Sequence, residues 1–345
     1  PDAERRSEVQ GMKLSILDLS PIPSGSTASQ ALQNTLELAQ LADRLGYERY
    51  WLAEHHNTAA IASVAPEIMI GQVARVTRRI RVGAGGIMLP NHAPLKVAEA
   101  FLTLEALFPG RIDLGIGRAP GTDPVTARAL RRTASLGAED FPEQLADLFH
   151  FARGDFPEGH PFRSVQATPP GVPLPPVWLL GSSDYSARLA ARLGLAFSFA
   201  AHFSPFDPVL PMRLYRAQFR PSEHRAEPHA ILAVAAICAD TRAEAERLAR
   251  ALDLFWLQIR RGERRPLPSP EEAEAYPWTA EELAAVQEHR RLLFLGEPDE
   301  VAGGIRSLAL ATQADEVMVV SHIHDHRQRL RSYELLAEAF GLDRT

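Results

Sequence analysis

The chain has 345 residues, 46% of them hydrophobic and 23% charged, with a net charge of −6. This composition excludes wholesale disorder, and no run approaches the ~18–20 uncharged apolar residues needed to cross a bilayer. The length suits one large barrel or two ordinary domains.

Residues 1–11 begin PDAERRSEVQ and lack the apolar core of a signal peptide. They read as a disordered or vector-derived extension, with a single folded domain over 12–345. The lone cysteine, Cys238, allows no internal disulfide and no cysteine-based zinc site, which suits a reducing cytoplasm. Lysine occurs only at 13 and 96, and the arginines are interspersed with acids, as in RAEAERLAR. That pattern predicts solvated helix faces and no nucleic-acid surface.

Along the chain an amphipathic helix, a short turn and a brief apolar run recur. The units are 36–54, 71–89, 97–117, 185–201 and 301–320. Helices alternating with strands that are apolar on both faces predict a parallel sheet covered by helices. With the unpaired runs, strands are predicted at 13–19, 49–54, 80–88, 111–117, 176–181, 195–200, 230–238 and 315–320. Eight such strands predict an α/β fold, a (β/α)8 TIM barrel with its active site on the loops after the strands. An open doubly wound sheet is the alternative. Two stretches break the period: a proline-rich insertion at 152–176 before strand 5, and 261–290 between strands 7 and 8. Insertions of this length are expected as lids or interface elements.

Unusual residues collect at the strand ends. Glu54-His55-His56-Asn57 follows strand 2, Gly83-Ala84-Gly85-Gly86 ends strand 3, and Gly115-Ile116-Gly117-Arg118 ends strand 4. Glycine weakens a strand unless another backbone or a ligand must come close, so glycines at one end of several strands predict a broad, flat ligand. Gly181, Ser182, Ser183 and Ser186 open a helix after strand 5. Free N–H groups, hydroxyls and the helix dipole there suit a phosphate, although plain N-capping by serine explains the same residues. Arg118 could supply the counter-charge. The 115–121 segment has the wrong glycine spacing for a dinucleotide fingerprint.

Two adjacent histidines directly after a buried strand cannot both be packing residues, and one of them could act as a general base near neutral pH. His322, His324 and His326 alternate and could ligate a metal with Glu54, His55 and His56. Surface or N-cap positions explain the alternating three better, and no metal is expected. Phe199, Phe203 and Trp256 are candidates for an organic-substrate wall or for ordinary core.

The segments RYWLAEHHN, RVGAGGIMLPNHAPL, PGRIDLGIGRAPGTD, WLLGSSDYSARLAARLGL and DEVMVVSHIHDHRQRLRSYELL lie in this order. Through them the chain resembles the bacterial luciferase-like flavin monooxygenases, in particular the single-chain alkanal monooxygenase-like subgroup, over roughly residues 12–340. The resemblance implies a (β/α)8 barrel binding FMN at its mouth, with His55 as the catalytic acid/base. It implies a non-prolyl cis peptide at Gly85–Gly86 facing the flavin, and phosphate contacts from Arg118, Ser183 and Ser186. Gly117 stands where light-emitting members carry a cysteine, and no tyrosine follows Arg118, which argues against light emission. The expected function is a two-component monooxygenase that oxidises a small organic substrate with O2. Reduced FMN would come from a separate flavin reductase, and the protein would be a cytoplasmic homodimer. Use of F420 on the same barrel, a non-catalytic flavin-binding barrel and a metal-dependent hydrolase are the competing readings.

Overall fold

The computed structural model describes residues 11–131 and 140–342, so all but the last residue of the expected N-terminal extension lies outside the described residues. β1 (Lys13–Asp18) leads through α1 (Ala28–Leu45) to β2 (Arg49–Leu52), then α2 (Pro66–Val76) and β3 (Arg81–Met88). α3 (Pro94–Leu107) and β4 (Ile112–Gly117) follow, then α4 (Pro124–Arg131), α5 (Phe141–Arg153) and β5 (Val177–Gly181). Next come α6 (Asp184–Leu193), β6 (Ala196–Ala200), α7 (Val209–Gln218) and β7 (Ala230–Cys238). After α8 (Arg242–Arg260) the chain forms α9 (Pro270–Ala275), α10 (Ala280–His289) and β8 (Leu293–Gly296). It ends with α11 (Pro298–Thr312), β9 (Glu316–Val320) and α12 (His326–Phe340).

β1 to β6 pair in sequence order, β6 pairs with β7, β7 with β9, and β9 with β1. Every pairing is parallel, so eight strands close a ring. These eight are the strands expected from the sequence. β8 is additional. Among the described residues it pairs with Ala235–Cys238, the end of β7 that runs past β9 from Ala235, β9's last partner, onward. A nine-residue strand that overshoots the ring leaves an open edge, and a four-residue apolar run following a helix fills it. β2 ends at Leu52, two residues earlier than expected, which releases Glu54 and His55 from the sheet into the mouth.

Side chains fill the ring, as eight parallel strands require. Trp51 and Trp178 meet edge to face at 5.3 Å, with Leu17, Ile231 and Met318 in the same cluster. At the strand starts, Arg49 bridges Asp113 at 2.8 Å and Glu316 at 3.1 Å, with both carboxylates fully buried. Removing Arg49 would leave the buried Glu316 carboxylate without an arginine partner, a cost of several kcal/mol. A larger apolar layer lies between strands and helices.

The insertion expected at 152–176 starts after α5 ends at Arg153 and is neither lid nor mouth element. It packs through Phe156 against Phe151 of α5 at 4.8 Å and against His160 at 4.5 Å, then enters the N-terminal end of β5. None of its residues reaches the cavity described below. Among the described residues, no helix is long and apolar enough to cross a membrane.

Candidate active site

A cavity of about 710 Å³ opens at the C-terminal ends of the strands, within the ~300–1,000 Å³ usual for small-molecule sites. His55, Gly85, Gly117, Arg118, Gly181, Ser182, Ser183 and Ser186 all line it. Gly86 does not. A Cβ built on Gly86 would lie 2.8 Å from the Gly115 carbonyl oxygen, so this glycine is required by strand contact. The Gly85–Gly86 peptide is cis.

The glycine pattern therefore has two causes, and the expectation that it marks a flat ligand needs correction. At Gly115 an added Cβ would sit 2.0 Å from the Ala84 carbonyl oxygen, a clash with neighbouring backbone. Gly83 likewise meets Asp113. Close approach of β3 to β4 and β2 selects these positions, whereas Gly85, Gly117 and Gly181 also open onto the cavity.

Glu54 and His55 divide two tasks. Glu54 is fully buried and accepts hydrogen bonds from His56 Nε2 at 2.8 Å, His92 Nε2 at 2.9 Å, Asn91 Nδ2 at 3.2 Å and the Met88 N–H at 2.7 Å. Burial pushes its carboxyl pKa up, but the His92 and His56 bonds outweigh burial and hold it below the usual carboxylate range. The His92 imidazole is correspondingly raised: burial opposes its charge, and the Glu54 carboxylate more than compensates. His55 turns the other way. Its backbone N–H is fixed to the Ser63 carbonyl at 3.1 Å, and its ring borders the cavity with Nδ1 buried and unpartnered. Burial lowers its pKa, with Glu54 acting against that and His56 with it, so the ring is held toward the neutral form a proton acceptor needs.

At the opposite wall, α6 begins at Asp184 with Ser183 as its N-cap, and the Ser183 side chain makes no capping bond. That favours the anion reading over plain capping, because the hydroxyl and the first N–H groups remain free for a ligand. The Arg118 guanidinium stacks on the Tyr185 ring at 4.0 Å and has no acidic partner among the described residues. A positive charge held by an aromatic face beside an open helix N-terminus is an arrangement that could hold an anion.

Two histidines of the site were not foreseen. His202, just after β6, and His322, just after β9, both border the cavity. His322 was expected at the surface or as a cap, and this is corrected: burial pushes its pKa down to about 3. Burial similarly takes His202 down to about 4. Their burial follows from barrel closure, which sets β6 and β9 on either side of β7; no local motif signals it. His324 instead contacts Ser24 at 3.1 Å and His326 contacts Glu37 at 3.1 Å. No group of three or more metal-ligating side chains converges among the described residues. Phe203 and Trp256 border the cavity, and Phe199 belongs to the core.

The model of the luciferase-like monooxygenase family matches residues 12–315. The chain belongs to that family. It is 45% identical over 321 residues to a luciferase-like monooxygenase of Escherichia coli (strain K12), covering 93% of this chain and 95% of that protein. It is 37% identical to an N-acetyl-S-alkylcysteine monooxygenase of Bacillus subtilis (strain 168), covering 95% and 98%. The crystal structure of apo-MsnO8 superposes with a TM-score of 0.88 at 43% identity, covering 98% and 100%. The fold alone is shared with a type II Baeyer–Villiger monooxygenase of Pseudomonas putida in complex with FMN, at TM-score 0.68, 20% identity and coverage of 95% and 97%. An F420-dependent secondary alcohol dehydrogenase in complex with an F420–acetone adduct shares it likewise, at 0.70, 14%, 95% and 99%. This luciferase-like monooxygenase thus has the expected closed barrel with its cavity at the expected end.

Proposed function

We propose that the protein is an FMN-dependent monooxygenase that takes reduced flavin from a separate reductase and oxidises a small organic substrate with O2. The observation that carries this reading is a pairing across one cavity: the unpartnered imidazole of His55 and the open anion cradle of Arg118, Ser183 and Ser186. A terminal phosphate fits that cradle, and the side-chain-free wall at Gly85 and Gly117 suits the face of a planar ring. Bound there, reduced FMN would supply the electrons that activate O2.

The chain's own residues have distinct tasks. Arg118 and the α6 N-terminus hold the phosphate, and Gly181, Ser182, Ser183 and Ser186 bring backbone and hydroxyl donors to it. Gly85 and Gly117 keep the ring slot free of side chains, and Gly86 lets β3 approach β4 beneath it. Phe203 and Trp256 help exclude water, which strengthens every polar interaction inside. His55 accepts or returns a proton at its cavity-facing nitrogen, and Glu54 anchors the segment from which His55 projects.

The lack of a salt-bridge partner for Arg118 among the described residues favours a phosphate-bearing cofactor, which FMN and F420 both are. FMN is preferred because the chain's named relatives at 37–45% identity are monooxygenases. Anaerobic titration with reduced FMN and reduced F420, followed by single-turnover mixing with O2, tests the choice. Tight binding of reduced FMN and oxygen-dependent product are expected. Binding of F420 alone, or O2 consumption no faster than with free FMN, would overturn the assignment. Sedimentation would test the accompanying expectation of a homodimer, and fractionation of cells that of a cytoplasmic location.

A further inference from the structure

Beyond the flavin cradle, the cavity holds a second polar feature. The rings of His202 and His322 border it together with His55, close enough for the three to perturb one another electrostatically. No side chain among the described residues hydrogen-bonds any of these rings; the Ala233 backbone is a partner of the His202 ring, whose Nδ1 is shut away from solvent without one. Their neighbours are apolar: Phe203 stands edge-on to His202 at 4.7 Å, and Phe255 lies 6.2 Å from His322. The charged groups nearby are already spent. Arg329 is paired with Asp18 at 2.7 Å, and Arg290 with Asp253 at 2.7 Å.

Their enclosure in the cavity wall lowers both imidazole pKa values, to about 4 and about 3, and favours the neutral form at physiological pH. A neutral imidazole has one N–H and one lone pair, so two of them can serve a group that both donates and accepts. A hydroxyl is such a group. A carboxylate would need a free cation: Arg329 and Arg290 beside these rings are already neutralised, and Arg118, the unpaired arginine of this cavity, is the one assigned to the phosphate. Polar hooks in an apolar pocket discriminate strongly, because a ligand lacking the matching group leaves them unpaired.

We propose that His202 and His322 form a hydroxyl-recognising subsite, and that the substrate is an uncharged, largely apolar molecule bearing a hydroxyl. This deepens the oxygenase reading, on which the word substrate rests. The subsite itself is tested without turnover.

The protein is titrated with 2-naphthol, naphthalene and 2-naphthoate, with oxidised FMN present and absent. 2-Naphthol should bind at least tenfold tighter than the other two without being displaced by FMN. His202→Phe and His322→Phe should each cut that preference below threefold while naphthalene still binds. Because a variant could fold poorly, the wild-type protein with 13C-labelled histidine rings gives a second readout. 2-Naphthol should shift the His202 and His322 resonances, assigned through His202→Gln and His322→Gln, and naphthalene should not. Equal binding of the three probes, tighter binding of 2-naphthoate, displacement by FMN, or unmoved histidine resonances would each overturn the proposal. None of these outcomes bears on flavin use, which the anaerobic titration decides separately.

Discussion

Glu54 and His55 are adjacent in sequence and opposite in circumstance: the Glu54 carboxylate collects hydrogen bonds from His56, His92, Asn91 and the Met88 N–H, while the His55 ring has none among the described residues. One residue is fully satisfied so that the next can stand unsatisfied at a fixed place. Positioned acid–base groups typically contribute 10²–10⁴-fold to a rate. His55→Ala should therefore lower single-turnover oxidation at saturating reduced FMN roughly 100-fold or more. The flavin dissociation constant, measured by absorbance titration, should change less than threefold. An unchanged rate would remove His55 from the mechanism.

Replacing Glu54 by glutamine keeps the shape but sets an amide donor against the surrounding donors. The loss should be about 2 kcal/mol of stability in urea melts. The raised pKa of His92, which depends on the Glu54 carboxylate, should fall in the same variant, as histidine NMR would report.

Arg118 should be felt through the phosphate alone. Arg118→Ala removes one charge-assisted contact, worth about 1.5–3 kcal/mol, so FMN binding should weaken roughly tenfold to a hundredfold. Riboflavin, which has no phosphate, should bind both proteins equally. A loss that is the same for both flavins would place Arg118 elsewhere.

His202 and His322 carry a pH signature. Their folded pKa values, about 4 and about 3, lie below the ordinary value of 6.5. Their neutral burial therefore costs nothing above pH 6.5. As pH falls below that value, the unfolded chain takes up protons that the folded protein refuses, and stability drops until the folded values are reached. The melting temperature should fall between pH 6.5 and 4, and His322→Phe should flatten that slope.

Gly115→Ala tests the barrel wall. A Cβ at 2.0 Å from the Ala84 carbonyl oxygen cannot be absorbed by a side-chain rotation. A loss of about 3 kcal/mol is expected in chemical denaturation, at the upper end for overpacking. Gly117→Ala meets only the flexible tip of Met88 and should cost far less.

Alternating amphipathic helices and apolar runs determined the barrel, because burial on both faces leaves a parallel strand no polar positions. The same local signals marked the loops that carry His55, Arg118 and the serine turn, although strand-end glycines such as Gly115 also serve neighbouring backbone. What tertiary structure decided is which of these groups share a space. His202 and His322 are 120 positions apart by their numbering and meet only because closure sets β6 and β9 on either side of β7. Closure likewise settled that Gly115 serves a neighbouring backbone and that the 154–176 insertion packs on α5. Distances between strands belong to the ring as a whole, and no stretch of sequence contains them.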